Sequence, residues 1–379
     1  MQPSRLRRSA RRWLPTLASL TALNACRGRG PTALTSSGDT LYVGVAATRS
    51  NTDYFRGVQM ALDRLNAERP TGARPLGLRL PADSQTSQVA VAAAFRDDPT
   101  VIGVVGHTGS AQTMDAAPIY GDVEANERRA VLAITPTATN PAVTRAGRWV
   151  FRVCPTDDDA ARALARFAID SAHAKRVGIV YRDDLFGRGF TRVIAPALAS
   201  AGATVVERDP YLAGLTEYDA YAARLARRKV DVLVVAGGGV DAADMVRALR
   251  RAGAAPAVLG SDDIASISTA AKTPGEFRGV RYTAFYDASS RAPAATAFAS
   301  EYRRRFGTLP NHQSALSYDA AMLIGRAAQA VGDDRRAVRD WVAAIGRSSP
   351  AYDGVTGQIR FDDHGDALGK AVLIGEVKP

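Results

Sequence analysis

The stretch that decides the fold is residues 101–112, which read Val-Ile-Gly-Val-Val-Gly-His-Thr-Gly-Ser-Ala-Gln. Its first half is a short, continuous apolar run, as expected of a strand in a parallel sheet that helices cover on both faces. Its second half is polar and contains glycine, and Ser110 stands where the next helix would open. A strand, a polar turn and a helix in this order form the repeating unit of an α/β fold.

The body of the chain repeats this alternation from Leu41 onward. Apolar residues at helical spacing predict amphipathic helices, and we interpret their stripes as core faces. The alternation predicts right-handed βαβ units and parallel sheets with helices on both sides. The clearest stripes are Phe55, Val58, Leu62 and Leu65; Phe298, Tyr302 and Phe306; and Leu316, Ala320, Leu323, Ala327 and Val331. The predicted strands are Leu41–Ala47, Leu76–Pro81, Val101–Gly106, Ala130–Thr135, Arg176–Arg182, Val230–Ala236 and Ala257–Ser261, and later Gln358–Asp363 and Ala371–Val377.

The 379 residues contain two such runs, at about 40–153 and 156–284. Extended links are predicted at Val153–Pro155 and Tyr282–Tyr286. The length suits two α/β lobes of ordinary size, and two linked lobes enclose a cleft. Ligands of open α/β sheets bind beyond the carboxyl ends of the strands, so the residues that follow each strand are the candidates for binding.

Polar side chains follow four of the predicted strands, and after Arg176–Arg182 they are Asp183 and Asp184. Ser110 opens a helix, where its hydroxyl and the free amides suit an anion or a carboxylate, although seen alone it is more simply an N-cap. Thr137 and Thr139 add hydroxyls after the strand that ends at Thr135. Asp262 follows the strand at Ala257–Ser261, where a carboxylate suits a ligand amine or is simply a solvated loop acid.

The N-terminus has the composition of an export signal. Five arginines without an acid precede an apolar segment, Trp13–Ala25, that is too short to span a membrane. The segment leads into Cys26 through Leu-Asn-Ala, which resembles a bacterial lipobox and implies cleavage before Cys26 and acylation of its thiol. The alternative is an ordinary signal peptide followed by an incidental cysteine. We therefore predict a signal peptide over 1–25, a flexible polar tether over 26–39, and an exported protein that is lipid-anchored to the cell envelope.

Several other functions lack support in the sequence. The net charge is +11, but the bases are scattered along helices and form no stripe with aromatics, which argues against a nucleic-acid partner. The four histidines and two cysteines show no spacing typical of a metal site or a disulfide, so Cys154 is expected to be a structural thiol. Gly237–Ala242 fits G-x-G-x-x-A, yet Asp241 would place negative charge beside a pyrophosphate, and an exported protein rarely meets NAD. No Ser-His-acid set is apparent, so we predict no catalysis, no cofactor and no metal.

A set of motifs spread over residues 41–377 resembles the branched-chain amino-acid-binding proteins of ABC transporters, which are type I periplasmic binding proteins. The resemblance implies two lobes with doubly wound parallel sheets, three crossovers between them and a ligand clamped in the cleft. The N-terminal lobe is then expected to comprise 40–153 and 287–355, and the C-terminal lobe 156–284 and 358–379. The motifs are Gly106–Ser110, Ile119–Tyr120, Ile134–Pro141, Phe151–Val153, Asp183–Gly187, Ser317–Ala320, Gly354–Gly357 and Phe361–Asp366.

The resemblance also implies roles for individual residues. Ser110, Thr137 and Thr139 match the positions that hold the α-carboxylate of the ligand. Asp262 matches the carboxylate that pairs with the α-amine, and it is one methylene shorter than the usual Glu. Phe186 matches an aromatic residue that closes over the ligand from the other lobe.

Two positions of the side-chain pocket depart from the family pattern. Gly238 and Gln313 stand where amino-acid binders carry aromatic residues, and the loop Thr48–Tyr54 is shorter than usual and lacks a clear match. The half of the site for the carboxylate is kept while the side-chain pocket is changed. The ligand is therefore expected to be larger or more polar than leucine.

These observations together predict a monomeric solute receptor that is not an enzyme. It would capture an amino acid or a related small amphiphilic carboxylate and deliver it to an ABC permease in the membrane. The alternative is an envelope ligand sensor on the same fold without a dedicated transporter, which the fold alone does not distinguish.

Overall fold

The first lobe is built on a sheet of five parallel strands. The structure, a computed structural model, describes residues 40–82 and 87–377, so the predicted signal peptide, tether and acylated Cys26 lie outside the described residues. The strands are arranged in the order β2-β1-β3-β4-β5. They are β1 (Leu41–Ala46), β2 (Leu76–Arg79), β3 (Val101–Gly106), β4 (Leu132–Thr135) and β5 (Val150–Arg152).

The second lobe has a six-stranded sheet in the order β13-β10-β9-β8-β6-β7, in which only β13 is antiparallel to its neighbour. Both sheets therefore change winding direction once, at β1/β3 in the first lobe and at β6/β8 in the second. Ligands bind at such switch points. The strands of this sheet are β6 (Arg176–Arg182), β7 (Thr204–Tyr211), β8 (Val232–Ala236), β9 (Ala257–Gly260), β10 (Arg281–Ala284) and β13 (Leu373–Glu376).

Helices cover both faces of each sheet, which confirms the predicted doubly wound α/β architecture. The first lobe carries α1 (Thr52–Ala67), α2 (Gln88–Asp97), α3 (Ser110–Tyr120), α4 (Ala142–Arg145), α9 (Pro293–Phe306), α10 (His312–Val331) and α11 (Arg335–Ala343). The second lobe carries α5 (Asp157–Asp170), α6 (Leu185–Ser200), α7 (Asp219–Arg227) and α8 (Gly239–Arg251).

The strands bury side chains on both faces. In the first lobe, Val43 and Val45 pack with α1 and α10 on one face. Val101 and Val104 of β3 pack with α2 and α3 on the other. Full burial on both sides explains why these strands are continuous apolar runs. Of the predicted helix stripes only Val331 is exposed, because it is the last residue of α10.

The chain crosses between the lobes three times. Residues 153–156 lead from β5 to α5, residues 285–292 from β10 to α9, and residues 360–372 from the hairpin β11 (Tyr352–Gly354) and β12 (Gly357–Ile359) to β13. The sequence predicts an extended link over Tyr282–Tyr286, but its first residues belong to β10, so that link begins at Phe285. The predicted strand Gln358–Asp363 is also wrong in extent, since it ends at Ile359 and pairs with β11 rather than with the second sheet.

The sequence does not predict four of the described strands, namely β5, β7, β10 and β11, and identifiable reasons account for the first two. β5 has only three residues, too few to show a period. β7 is the edge strand of the second sheet, and its half-exposed segment Glu207–Asp209 interrupts the apolar pattern with charges. Edge strands commonly carry charges in this way, which makes them hard to distinguish from loops.

Buried polar contacts fix the third crossover to the first lobe. Arg152, which has no exposed surface, pairs with Asp366. The backbone N–H of Arg152 donates to the carbonyl of Gly365 at 2.9 Å. The buried carboxylate of Asp319 accepts from the N–H groups of Val355 and Thr356 at 2.8 and 2.9 Å and so holds the β11–β12 turn against α10. These contacts hold the start of the third crossover and the hairpin before it against the first lobe.

Candidate functional site

The carboxyl ends of the two sheets face each other across a cavity of about 420 Å³, a volume within the range of small-molecule sites. Loops from both switch points contribute to its wall. The lining residues are Asn51, Tyr54, Thr108, Gly109, Ser110, Ala111, Gln112, Thr137, Thr139, Arg182, Asp184, Phe186, Ala213, Asp262, Asp263, His312 and Gln313.

The first-lobe wall is rich in hydrogen-bond donors. Helix α3 begins at Ser110, its N-cap Gly109 offers no side-chain cap, and residues 109–112 of its N-terminus line the cavity. The hydroxyl of Ser110 accepts from the N–H of Asn140 at 3.2 Å, which leaves its own proton available. This arrangement suits a carboxylate.

The loop after β4 completes this wall. The hydroxyl of Thr137 donates to the carbonyl of Thr108 at 2.7 Å and contacts the phenol of Tyr54. Thr139 is buried. The guanidinium of Arg152 supports the loop from behind, since its Nη1 donates to the carbonyls of Ala138 and Asn140 at 3.2 and 2.8 Å. The loop is therefore held in place without a ligand.

The second-lobe wall presents a buried carboxylate. Asp262 follows β9, is only 4% exposed, and its Oδ1 has no hydrogen-bond partner in the described part of the chain. Burial raises the pKa of Asp262 well above its usual value, and the nearby carboxylates of Asp263 and Asp157 raise it further. A buried acceptor without a partner costs free energy, so a hydrogen-bond donor that reached Oδ1 through the cavity would stabilise this side chain.

Next to Asp262 lies an ionic cluster centred on Arg182. The Nε of Arg182 donates to Asp184, and its Nη2 lies 3.6 Å from Asp263. The other carboxylate oxygen of Asp184 accepts from the N–H of Gly187 at 2.8 Å and caps α6. Phe186 opens the first turn of that helix, where it is buried against Phe190 with 6.0 Å between ring centroids.

Six of the seven predicted binding residues line this one cavity, on its two walls, and Gly238 is the exception. A Cβ atom at Gly238 would lie 3.7 Å from Nη1 of Arg182, so the arginine occupies space beside the missing side chain. The binding roles of Ser110, Thr137, Thr139, Phe186, Asp262 and Gln313 remain predictions.

Sequence reasoning missed several residues of the wall. Asn51 and Tyr54 both belong to the segment Thr48–Tyr54 that matched no pattern, although α1 already begins within it at Thr52. Arg182 is the last residue of β6, so the strand-end argument that identifies Asp262 applies to it as well. His312 begins α10, and its burial lowers its pKa to about 4, so it is a neutral member of the wall.

The residues weighed for other chemistry have structural partners. Asp241 accepts hydrogen bonds from the hydroxyls of Tyr211 and Tyr218, both at 3.1 Å, which anchors the segment after β8. His107 is buried, with its Nε2 2.8 Å from the hydroxyl of Tyr120, and burial lowers its pKa to about 3. Cys154 is a buried free thiol. Within residues 40–82 and 87–377, no group of three or more His, Cys, Asp or Glu is placed to hold a metal ion, and no helix is long and apolar enough to cross a membrane.

Known proteins share this architecture and much of the sequence pattern. The chain is 26% identical over 320 residues to an amino acid binding protein of Pseudomonas aeruginosa, covering 83% of this chain and 82% of that protein. It is 28% identical to the Leu/Ile/Val-binding protein of Citrobacter freundii over 56% of this chain and 57% of that protein. An ABC transporter substrate-binding protein of Desulfitobacterium hafniense, solved in complex with Leu, superposes with a TM-score of 0.76 at 23% identity, covering 89% of this chain and 98% of that one. Residues 42–379 match the periplasmic binding protein family, and the chain belongs to that family.

Proposed function

We propose that this protein is an extracytoplasmic solute-binding lipoprotein that captures an amino acid or a related small amphiphilic carboxylate and delivers it to an ABC importer. The observation that carries the proposal is the pairing of two unlike walls across one cavity. One wall offers a helix N-terminus without a side-chain cap and the hydroxyl of Ser110, and the opposite wall offers the buried carboxylate of Asp262, whose Oδ1 has no partner among the described residues.

A zwitterion satisfies both walls at once. Its carboxylate accepts hydrogen bonds from Ser110 and the first turn of α3, and its ammonium pairs with Asp262. Because the walls belong to different lobes, a ligand that bridges them stabilises the closed arrangement, which is the physical basis of a clamp. The relatives named above bind amino acids according to their descriptions, which supports the same ligand class here.

The first test is a thermal-shift screen followed by calorimetry on the hits, with amino acids, amides, short peptides and aromatic acids as the library. A ligand that binds the native state raises its apparent stability. Ser110→Ala should weaken binding by about ten- to a hundredfold, because a hydrogen bond to a charged group is worth about 1.5–3 kcal/mol. Ser171→Ala, at the exposed end of α5, is the matched control and should bind as the wild type does. Equal affinity in both variants would remove Ser110 from the site.

Lobe closure is tested separately by small-angle scattering with and without a ligand found in the screen. The proposal requires a smaller radius of gyration in the bound protein, produced by rotation at the three crossovers. An identical profile at saturation would argue against a clamp. The same experiment reports the molecular mass and thus tests the prediction of a monomer.

The envelope anchor rests on the sequence of the N-terminus. In a bacterial host, wild-type protein should partition with membranes, and Cys26→Ser should appear in the soluble fraction or remain unprocessed. Stable residence requires two or more acyl chains, since each buried CH₂ contributes about 0.8 kcal/mol. A Cys26→Ser variant that is processed and membrane-bound like the wild type would refute acylation at this site.

A further inference from the structure

The cavity is poorly suited to an aliphatic side chain. Among its described lining residues there is no leucine, isoleucine, valine or methionine, and Tyr54 and Phe186 are its large carbon-rich side chains. Sites for apolar ligands are lined mainly by hydrophobic and aromatic groups. Whatever extends from the α-carbon of a bound amino acid therefore meets a polar surface.

Arg182 supplies a free donor to that surface. Its Nε and Nη2 face Asp184 and Asp263, while its Nη1 makes no hydrogen bond with any residue that the structure describes. The space beside Gly238 accommodates the guanidinium, because Gly238 has no side chain to compete for it. An aromatic side chain at position 238 would occupy the region next to Nη1.

Two side-chain amides of the cavity also make no hydrogen bond with the described residues. Gln112, in the first turn of α3, and Gln313, in the first turn of α10, both line the cavity, and neither side chain has a hydrogen-bond partner among residues 40–82 and 87–377. An amide both donates and accepts, so these groups match a ligand that does the same.

The charges favour a neutral substituent. Two carboxylates, those of Asp184 and Asp263, already lie beside the single positive charge of Arg182, so an acidic side chain would approach them without an unpaired cation to receive it. A basic side chain would approach a guanidinium, because Asp263 and Asp184 are already engaged by it. A carboxamide can accept from Nη1 and exchange hydrogen bonds with Gln313 without adding a charge to this cluster.

We propose that the ligand is an α-amino acid whose side chain ends in a neutral hydrogen-bonding group, most simply a carboxamide, and that Arg182 is the residue that determines this specificity. This inference rests on the function proposed above. It concerns the side chain of the bound amino acid, the part of the ligand that Ser110 and Asp262 are not proposed to contact.

The test is isothermal titration of the purified full chain with glutamine, asparagine, glutamate, lysine and leucine. We expect glutamine or asparagine to bind at least tenfold more tightly than leucine. Arg182→Met, which keeps the length of the stem and removes the guanidinium, should reduce the preference for the amide over leucine by about tenfold or more, as expected for one hydrogen bond to a charged donor. Arg182→Lys should retain part of the preference.

Two further variants separate specificity from folding. Arg188→Met removes an exposed pair with Asp183 outside the cavity and should leave both affinity and preference unchanged. Gln313→Leu breaks no ion pair and should lower the preference for glutamine by a few-fold while leucine binds as well or better. Tighter binding of leucine, glutamate or lysine than of both amides would overturn the inference and leave the proposed receptor function intact. Binding of a carboxylate without an amine, and of no amino acid, would overturn both.

Discussion

Asp262→Asn is the perturbation that most directly tests the site. Asp262 is almost completely buried, and one carboxylate oxygen has no partner in the described chain. The substitution keeps the shape of the side chain and removes its charge. It should therefore affect a ligand ammonium while leaving the packing behind β9 unchanged.

The expected loss follows from the strength of one charge-assisted hydrogen bond. Such a bond contributes about 1.5–3 kcal/mol, so the affinity for an amine-bearing ligand should fall by about ten- to a hundredfold. A carboxylate that lacks an amine should lose little. The free protein should move the other way, because a buried carboxylate without a partner destabilises the native state and the neutral amide does not carry that penalty.

The pH dependence has a definite sign. Burial, Asp263 and Asp157 raise the pKa of Asp262 in the free protein, so its carboxyl is protonated over a wider pH range than usual. Only the ionised form pairs with an ammonium. Binding to the wild type should therefore weaken as the pH falls through this raised pKa, with proton release on binding at pH values below it. The Asn variant should lack that component of the pH dependence.

The assay is calorimetry across pH 5–9, combined with thermal unfolding of both free proteins. Asp183→Asn is a suitable control, since Asp183 belongs to the same lobe, is exposed, and pairs with Arg188 outside the cavity. Normal binding of an amino acid by Asp262→Asn would refute the pairing. Loss of binding together with a lower unfolding temperature would show damage to the fold rather than loss of a contact.

Three further predictions concern stability and reactivity. Burial raises the pKa of Asp157 to about 7, so its contribution to the free energy of unfolding is present below about pH 4 and is lost as the pH rises to 7. The loss is up to about 4 kcal/mol, at 1.36 kcal/mol per pH unit. Asp157→Asn should flatten the pH dependence of the unfolding free energy in that window, and an unchanged slope would contradict this. Arg152→Met removes the cation beside Asp366, whose side chain keeps, among the described residues, only the hydrogen bond from the Thr144 hydroxyl, and should cost about 3–5 kcal/mol in denaturant unfolding. Adding Asp366→Asn should recover part of this loss. An additive double variant would mean that the pair is not coupled. Cys154 is buried, and burial raises the pKa of its thiol. In a Cys26→Ser background, which leaves Cys154 as the single cysteine, a thiol reagent should therefore react only after unfolding. Rapid labelling of the native protein would show that the thiol is accessible.

Much of the fold was predictable because its signals are local. The continuous apolar run at Val101–Gly106 and the helical stripe at Phe55–Leu65 each depend on residues close together in the chain. Fully buried parallel strands leave a strong compositional mark, whereas β7 and the short β5 do not. The hairpin of β11 and β12 depends on a distant carboxylate, Asp319, and so has no local signal that fixes its extent.

The candidate site likewise contains residues that local sequence signals identify and residues that they do not. Ser110 and Asp262 could be identified from the sequence, because each directly follows a strand, and the carboxyl ends of parallel strands lie at one edge of a sheet. Position relative to a strand is a property of the chain itself. The sequence by itself therefore determined the family, the two-lobed architecture and the polar groups at the strand ends.

The tertiary structure alone decided what fills the rest of the cavity. Gly238 and Arg182 are far apart in sequence, and only the pairing of β6 with β8 brings the space beside one next to the guanidinium of the other. The direction of a long, flexible side chain depends on its charged partners, here Asp184 and Asp263, which belong to different loops. Its position depends on contacts that form only when the whole lobe has folded, and no pattern of neighbouring residues encodes it.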